Sequence, residues 1–247
     1  MRDWNGKRYW LIGASEGLGR SLAHQMSRAG VDLIVSARSE ERLQELVAEL
    51  PGRASYVPID IADRDNVRAA AEEVGEIDGI VFLAGVYWPI AATGWDADKV
   101  EAMFDINLTG AVRVLGQVVP RFVEKGAGHI VLTGSLSAYR GLPGAIGYSA
   151  SKAGLFSLAE SLHGDLRGTQ IETQIINPGF IRTRLTDKND FEMPAILEPE
   201  EAGRVFFEKM SSGRFATHFP WGFGMIFRIS QLMPDWLYFP LFFRRGG

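Results

Sequence analysis

Across the first two-thirds of the chain, short apolar runs alternate with longer stretches whose apolar residues recur every three or four positions. Tyr9–Ile12 reads as a strand, and Leu18, Leu22, Met26 and Ala29 form a helical stripe that stops at Gly30. Val31–Ser36 follows as a strand. Leu43, Leu46, Val47 and Leu50 then mark a helix that Pro51-Gly52 ends. The pattern continues with strand Ala54–Ile59, a helix through Val67, Ala70, Ala71 and Val74 with Asp63 as its N-cap, and strand Ile80–Leu83. One long helix over Ala97–Phe122, strand Ile130–Leu132, a helix over Tyr148–Arg167 and strand Ile171–Ile176 complete it. Repeated β-α-β of this kind predicts an α/β fold, a doubly wound parallel sheet with helices on both faces. Ligands of such sheets sit at the carboxyl ends of the strands. The loops that carry function are therefore 13–19, 36–39, 60–63, 84–96, 133–147 and 177–198.

At 247 residues, an α/β chain of this type is expected to form one domain. Within it, 182–199, which mixes charges, Pro and Met, reads as a substrate lid, and 219–247 as an aromatic C-terminal segment. No cysteine is present, which excludes disulfides, zinc ribbons, iron–sulfur clusters and thiol catalysis. The net charge is −4 and no long basic run occurs, which argues against a nucleic-acid partner. The apolar stretch near the start is too short for a signal peptide, and no window reads as a membrane span. A cytoplasmic location is the expectation.

Gly13-Ala-Ser-Glu-Gly17-Leu-Gly19 joins the first strand to the first helix. Glycine lets a backbone turn tightly and approach a pyrophosphate, and the helix N-terminus offers free N–H groups to the anion. The plainer reading is a tight strand–helix turn. Its place in the first βα unit favours a dinucleotide, with Ser15 and Leu18 inside the loop also in contact. An acid at the end of the second strand would bind the free ribose of NAD, and an Arg there the phosphate of NADP. Here the strand ends Val35-Ser36-Ala37-Arg38, so NADP is preferred over NAD, although Glu16, Glu40 and Glu41 lie nearby.

Val131-Leu-Thr-Gly-Ser135 closes a strand, and Tyr148-Ser-Ala-Ser-Lys152 opens a helix with Tyr148 and Lys152 on one face. A phenol is a poor base at neutral pH, and a neighbouring ammonium, together with an oxidised nicotinamide ring, would lower its pKa. The ordered set resembles the short-chain dehydrogenase/reductase superfamily, in its short single-domain branch, over about residues 7–183. It comprises Gly13, Gly17 and Gly19, Asp60 after the third strand, Ala84-Gly85 after the fourth, Asn107 in Phe-Asp-Ile-Asn-Leu-Thr-Gly, Ser135, Tyr148, Lys152 and Asn177-Pro178-Gly179.

The resemblance implies an oxidoreductase that moves a hydride between NADP(H) and a carbonyl or secondary alcohol. Tyr148 would be its acid or base, and Ser135 would bind the reacting oxygen. Lys152 would also hold the nicotinamide ribose, and Asn107 would position a water beside Lys152. Asp60 would meet the adenine, Ile61, Ala84 and Gly85 the cofactor, and Pro178, Gly179 and Thr183 the nicotinamide. It also implies a homodimer or homotetramer built on the helices near 97–122 and 148–167, where Leu158 and Leu162 serve the core or a partner. Ile12 and Leu83 depart from the family's usual Thr and Asn.

Tyr87, Trp88, Trp95, Leu136–Leu142, Phe180 and the lid are the expected substrate neighbours. Tyr87 and Trp88, at the end of the fourth strand, suit an apolar small-molecule substrate, or else pack the lid. His24, His129, His163 and His218 are scattered, and no metal site is expected. A different class of function stays open, a non-catalytic nucleotide-binding regulatory or scaffold protein. Nine of the 25 residues Phe219–Phe243 are aromatic. Such a segment packs over the substrate entrance or makes peripheral contact with a membrane, with Trp221, Trp236 and Tyr238 at headgroup level and Arg244-Arg245 on lipid phosphates.

Overall fold

The computed structural model describes residues 2–190 and 192–243. Seven parallel strands form one sheet in the order β3-β2-β1-β4-β5-β6-β7. They are β1 (Arg8–Ile12), β2 (Asp32–Ser36), β3 (Ala54–Tyr56), β4 (Gly79–Phe82), β5 (Ala127–Thr133), β6 (Gln170–Pro178) and β7 (Ala216–Phe219). Side chains alternate across the sheet. Trp10, Ile12, Ile80, Phe82, Ile130 and Leu132 point to one face. There they meet α3 (Arg64–Val74), α5 (Gly110–Lys125) and α6 (Ile146–Asp165) through residues such as Val67, Val114, Phe122 and Leu155. Tyr9, Leu11, Leu33, Val35, Val81 and Val131 point to the other. There they meet α1 (Gly17–Arg28), α2 (Glu40–Glu49) and α7 (Pro199–Ser211) through Leu22, Met26, Leu43 and Phe206.

Local chemistry sets the helix starts. Ser39 caps α2, and Asp63 accepts from the amides of Asp65 and Asn66 at the start of α3. Pro199 opens α7. The stretch 97–122, which the apolar periodicity reads as one helix, is interrupted. α4 (Ala97–Phe104), capped by Asp96, passes into a π-helical turn over Asp105–Thr109 before α5 begins. Apolar residues recur at three- or four-residue spacing on both sides of this turn, so periodicity does not report it.

The chain beyond Asn177 is more regular than its pattern suggests. It supplies α7, the edge strand β7, α8 (Trp221–Ser230) and α9 (Asp235–Phe242). The inner face of α8–α9 packs on the loop after β5, where Phe227 and Tyr238 are buried. Arg140 fastens that contact. Its guanidinium donates to the carbonyls of Ser230 and Met233, both at 2.7 Å, pairs with Asp235 at 2.5 Å and lies 3.8 Å over the Tyr238 ring. The outer face of the pair is solvent-exposed. Arg244 and Arg245 lie outside the described residues. Among the described residues no helix is long and apolar enough to cross a membrane.

Candidate active site

The strand order reverses between β1 and β4, which opens a crevice at the carboxyl ends of the strands. A cleft of about 420 Å³ occupies it. Its floor at one end is the turn from β1 into α1. Gly13 has φ +89°, and a Cβ there would lie 2.5 Å from the Ala84 amide nitrogen. A Cβ on Gly19 would lie 2.0 Å from the Gly13 carbonyl oxygen. Gly17, at φ +53°, faces the Thr183 methyl. These glycines let three backbone segments meet where side chains would hold them apart. α1 starts at Gly17 without a side-chain cap, so its first amides stay open to an anion. The cradle and its free amides fit a dinucleotide pyrophosphate. Ser15, Leu18, Asp60, Ile61, Ala84, Gly85, Pro178, Gly179 and Thr183 line the same cleft.

Arg38 stands exposed at the rim of the cleft and makes no ion pair among the described residues. Beside it, Glu16 accepts from Arg42 at 3.1 Å and also pairs with Arg184. Arg42 and Arg184 carry no motif, and nothing in the sequence announces their meeting with Glu16 across 26 and 168 residues.

At the other end, Tyr148 and Lys152 project from the first turns of α6. Burial pushes the Tyr148 hydroxyl up to about 12, against the lowering effect of its hydrogen bond with Ser135 and with a further rise from Tyr87. Burial also pushes the Lys152 ammonium down to about 8. Lys152 Nζ donates to the Thr133 carbonyl at 2.8 Å and lies 5.8 Å from the Tyr148 ring centre. The ammonium alone does not bring the phenol below its ordinary value; burial sets the direction of the shift.

Ser135 is set from three sides. Its amide donates to Asn177 Oδ1 at 3.1 Å, while its Oγ accepts from the Ser137 amide at 3.1 Å and lies 2.9 Å from Ser137 Oγ. Asn177, fully buried, also donates to the Thr217 carbonyl at 3.2 Å, tying β7 to the site. Asn107 sits in the π turn behind the cleft rather than on its wall. Its amide clasps the Val86 backbone, accepting at 2.7 Å and donating at 3.0 Å, and donates to Ser151 Oγ at 3.1 Å. The loop after β4 is thus held by Asn107, and Leu83 leaves no loose end because its amide bonds the Ile12 carbonyl at 2.8 Å.

The wall around Tyr148 and Ser135 is apolar: Val86, Tyr87, Leu136, Leu142, Phe223 and Phe227. Tyr87 meets the Tyr148 ring edge-on at 5.1 Å, and its hydroxyl donates to Asn189 of the segment 182–199 at 2.9 Å. Trp88 does not line the cleft, which corrects its expected place beside the substrate. It packs toward Ile90, Val100 and Met103, and the Lys188 ammonium lies 4.4 Å over its ring. Phe223 and Phe227 carry no motif of their own, and the aromatic concentration in 219–243 is their only signal in the sequence. Among the described residues no acidic or histidine cluster could hold a metal ion.

Comparison with known proteins agrees with this geometry. A model of the short chain dehydrogenase family matches residues 7–193. The chain is 36% identical to an uncharacterized oxidoreductase of Myxococcus xanthus, over 98% of this chain and 97% of that one. It is 30% identical to a 3-oxoacyl-acyl-carrier-protein reductase of Thermotoga maritima, over 85% of each. A short-chain dehydrogenase/reductase of Burkholderia phymatum, solved in complex with NAD, shares the fold with a TM-score of 0.85 at 21% identity, covering 100% of this chain and 98% of that one.

Proposed function

The chain belongs to the short-chain dehydrogenase/reductase superfamily and is an NAD(P)-dependent oxidoreductase, and on that premise we propose that it couples NADP(H) to an apolar carbonyl or secondary alcohol. The observation that carries the reading is the convergence of Tyr148, Ser135 and Lys152 on one apolar-walled cleft that also contains the glycine cradle. When bound, the cofactor supplies or takes up the hydride. Ser135 holds the substrate oxygen, and Tyr148 gives it a proton in reduction or removes one in oxidation. Lys152, anchored on the Thr133 carbonyl, orients the nicotinamide ribose. Asn107 keeps the Val86 loop in place beside them. Leu136, Leu142, Phe223 and Phe227 favour an apolar substrate over a charged one.

NADP over NAD rests on Arg38, whose guanidinium stands at the cleft rim with no ion-pair partner among the described residues. A charge-assisted contact with phosphate corresponds to a preference of about 10- to 150-fold. Fluorescence titration with NADPH and NADH tests it: the wild type should bind NADPH tighter by that factor, and Arg38→Leu should remove most of the difference. Equal dissociation constants for the two in the wild type would refute the preference. The exposed stripe Val112, Gly116 and Val123 on α5 supports self-association as a homodimer or homotetramer. A cytoplasmic, membrane-peripheral location accords with a chain that has no helix fit to cross a bilayer among its described residues.

A further inference from the structure

The helices α8 and α9 have two apolar faces with different surroundings. Inward, Phe227 is buried and, with Phe223, lines the catalytic cleft. Outward, Leu232, Trp236 and Trp221 are 86, 76 and 71% exposed, and Ile226, Ile229 and Leu241 are also exposed. Six large apolar side chains gathered on one short helical pair form a patch, not the usual scatter of single exposed residues. Its charge is equally one-sided. Between Trp221 and Phe243 the only charged residues are Arg228 and Asp235. Asp235 is neutralised by Arg140. Arg228 is exposed and makes no ion pair among the described residues. A chain of net charge −4 thus turns toward solvent an apolar face that has, among the described residues, no unpaired acid and one free cation.

We propose that the outer face of α8–α9 docks on an anionic lipid bilayer and delivers apolar carbonyl substrates to the cleft behind it. A second copy meeting this patch by two-fold symmetry would bring Arg228 against a face that has no free acid to offer. A lipid phosphate supplies that counter-charge. Exposed Trp221 and Trp236 suit the headgroup boundary, where indole places its apolar ring and its N–H in matching surroundings. The helices are 10 and 8 residues long and Pro234 separates them, so they lie along the surface and do not span it. The delivery half of the proposal rests on the oxidoreductase reading of the cleft, because α8 presents one face to lipid and another to the substrate.

The full chain is sedimented with vesicles of phosphatidylcholine alone and of phosphatidylcholine mixed with phosphatidylserine. The wild type should pellet with the mixed vesicles at low salt and be released as salt rises. The triple variant Trp221→Ser, Leu232→Ser, Trp236→Ser should partition at least about ten-fold less. The single variant Leu232→Asp serves the same purpose if the triple variant misfolds. A wild type that stays in the supernatant with both vesicle types, or variants that pellet as well as it does, would overturn the surface. So would light scattering that shows a wild-type dimer, lost in Leu232→Asp, without any pelleting; the patch would then belong to a second copy. Sedimentation needs no turnover, so it stands apart from any failure of the redox reading. For delivery, NADPH oxidation is followed with a long-chain ketone dissolved in the vesicles and with a short, water-soluble one. Leu232→Asp should slow the first and spare the second. Equal effects on both would reject delivery, and no reaction with either by the wild type would reject the redox reading instead.

Discussion

The Lys152 ammonium is buried against the Thr133 carbonyl, and desolvation lowers its pKa from 10.5 to about 8. Below about pH 8 both the folded and the unfolded chain hold the proton, and folding carries the full desolvation cost. Between about 8 and 10.5 the unfolded chain binds more protons than the folded one, so stability rises with pH. Above 10.5 the cost is gone. Lys152→Met removes the charge together with one hydrogen bond. At pH 7 it should therefore be more stable than the wild type by about 1–2 kcal/mol, while losing turnover. Urea midpoints at pH 7 and pH 10 check this: the gain should shrink as pH rises, and a gain independent of pH would show that the buried charge is not its source. The pairing of Tyr148 with Lys152 was legible from their spacing. The direction of the Tyr148 shift was not, because it depends on the burial of its ring in the folded chain, and no local pattern encodes that.

Elements, rather than residues, decide how the site is roofed. α8 and α9 are held over the loop after β5 by the four contacts of the Arg140 side chain and by the Tyr238 hydroxyl, which donates to the Gly141 carbonyl at 2.5 Å. That loop also carries Ser135. Arg140→Ala leaves two carbonyls and a carboxylate without their donor and should destabilise the protein by about 1–3 kcal/mol. It should also raise KM more than it lowers kcat, because the wall formed by Phe223 and Phe227 loosens while Tyr148 and Lys152 stay on α6. Limited proteolysis within 221–243 together with steady-state kinetics reads both effects, and an unchanged cleavage rate would remove Arg140 as the fastener. None of this roof was legible beyond its aromatic density. β7 has only four residues, and the helices that follow are short and interrupted by proline, so periodicity has too little length to work on. The first six strands, in contrast, were legible because each is followed by a helix of ten or more residues or a clear apolar stripe. The break of 97–122 at the π turn is hidden for a different reason: apolar residues keep helical spacing on both sides of it, while the Asn107 amide inside it bonds the Val86 backbone.

For the molecule as a whole, one source of acid sensitivity lies in the sheet, away from the cleft. His129 on β5 joins β1 to β6: its Nδ1 lies 2.9 Å from the Tyr9 hydroxyl and its Nε2 lies 2.8 Å from Gln174 Oε1. Burial lowers its pKa to about 3, with Arg2 adding to the effect against the hydrogen bond to Gln174. The folded chain therefore refuses a proton that the unfolded chain accepts between about pH 6.5 and 3, and stability falls on acidification through that window by up to about 1.4 kcal/mol per pH unit. His129→Gln should flatten this part of the profile in denaturant titrations from pH 7 to pH 4, and an unchanged slope would place the acid-sensitive group elsewhere. The same sheet holds the glycine cradle, Ser135 and Tyr148 at its other edge, so one scaffold serves both ends. The central claim, hydride transfer with Tyr148 as the proton donor, is tested by mixing 4-deuterated NADPH and an apolar ketone with the wild type and with Tyr148→Phe. The product alcohol is then followed by mass spectrometry. One deuterium is expected in the wild-type alcohol and a rate about 10²–10⁴ lower in the variant, with NADPH binding nearly unchanged. Equal rates of labelled alcohol from the two proteins would contradict it.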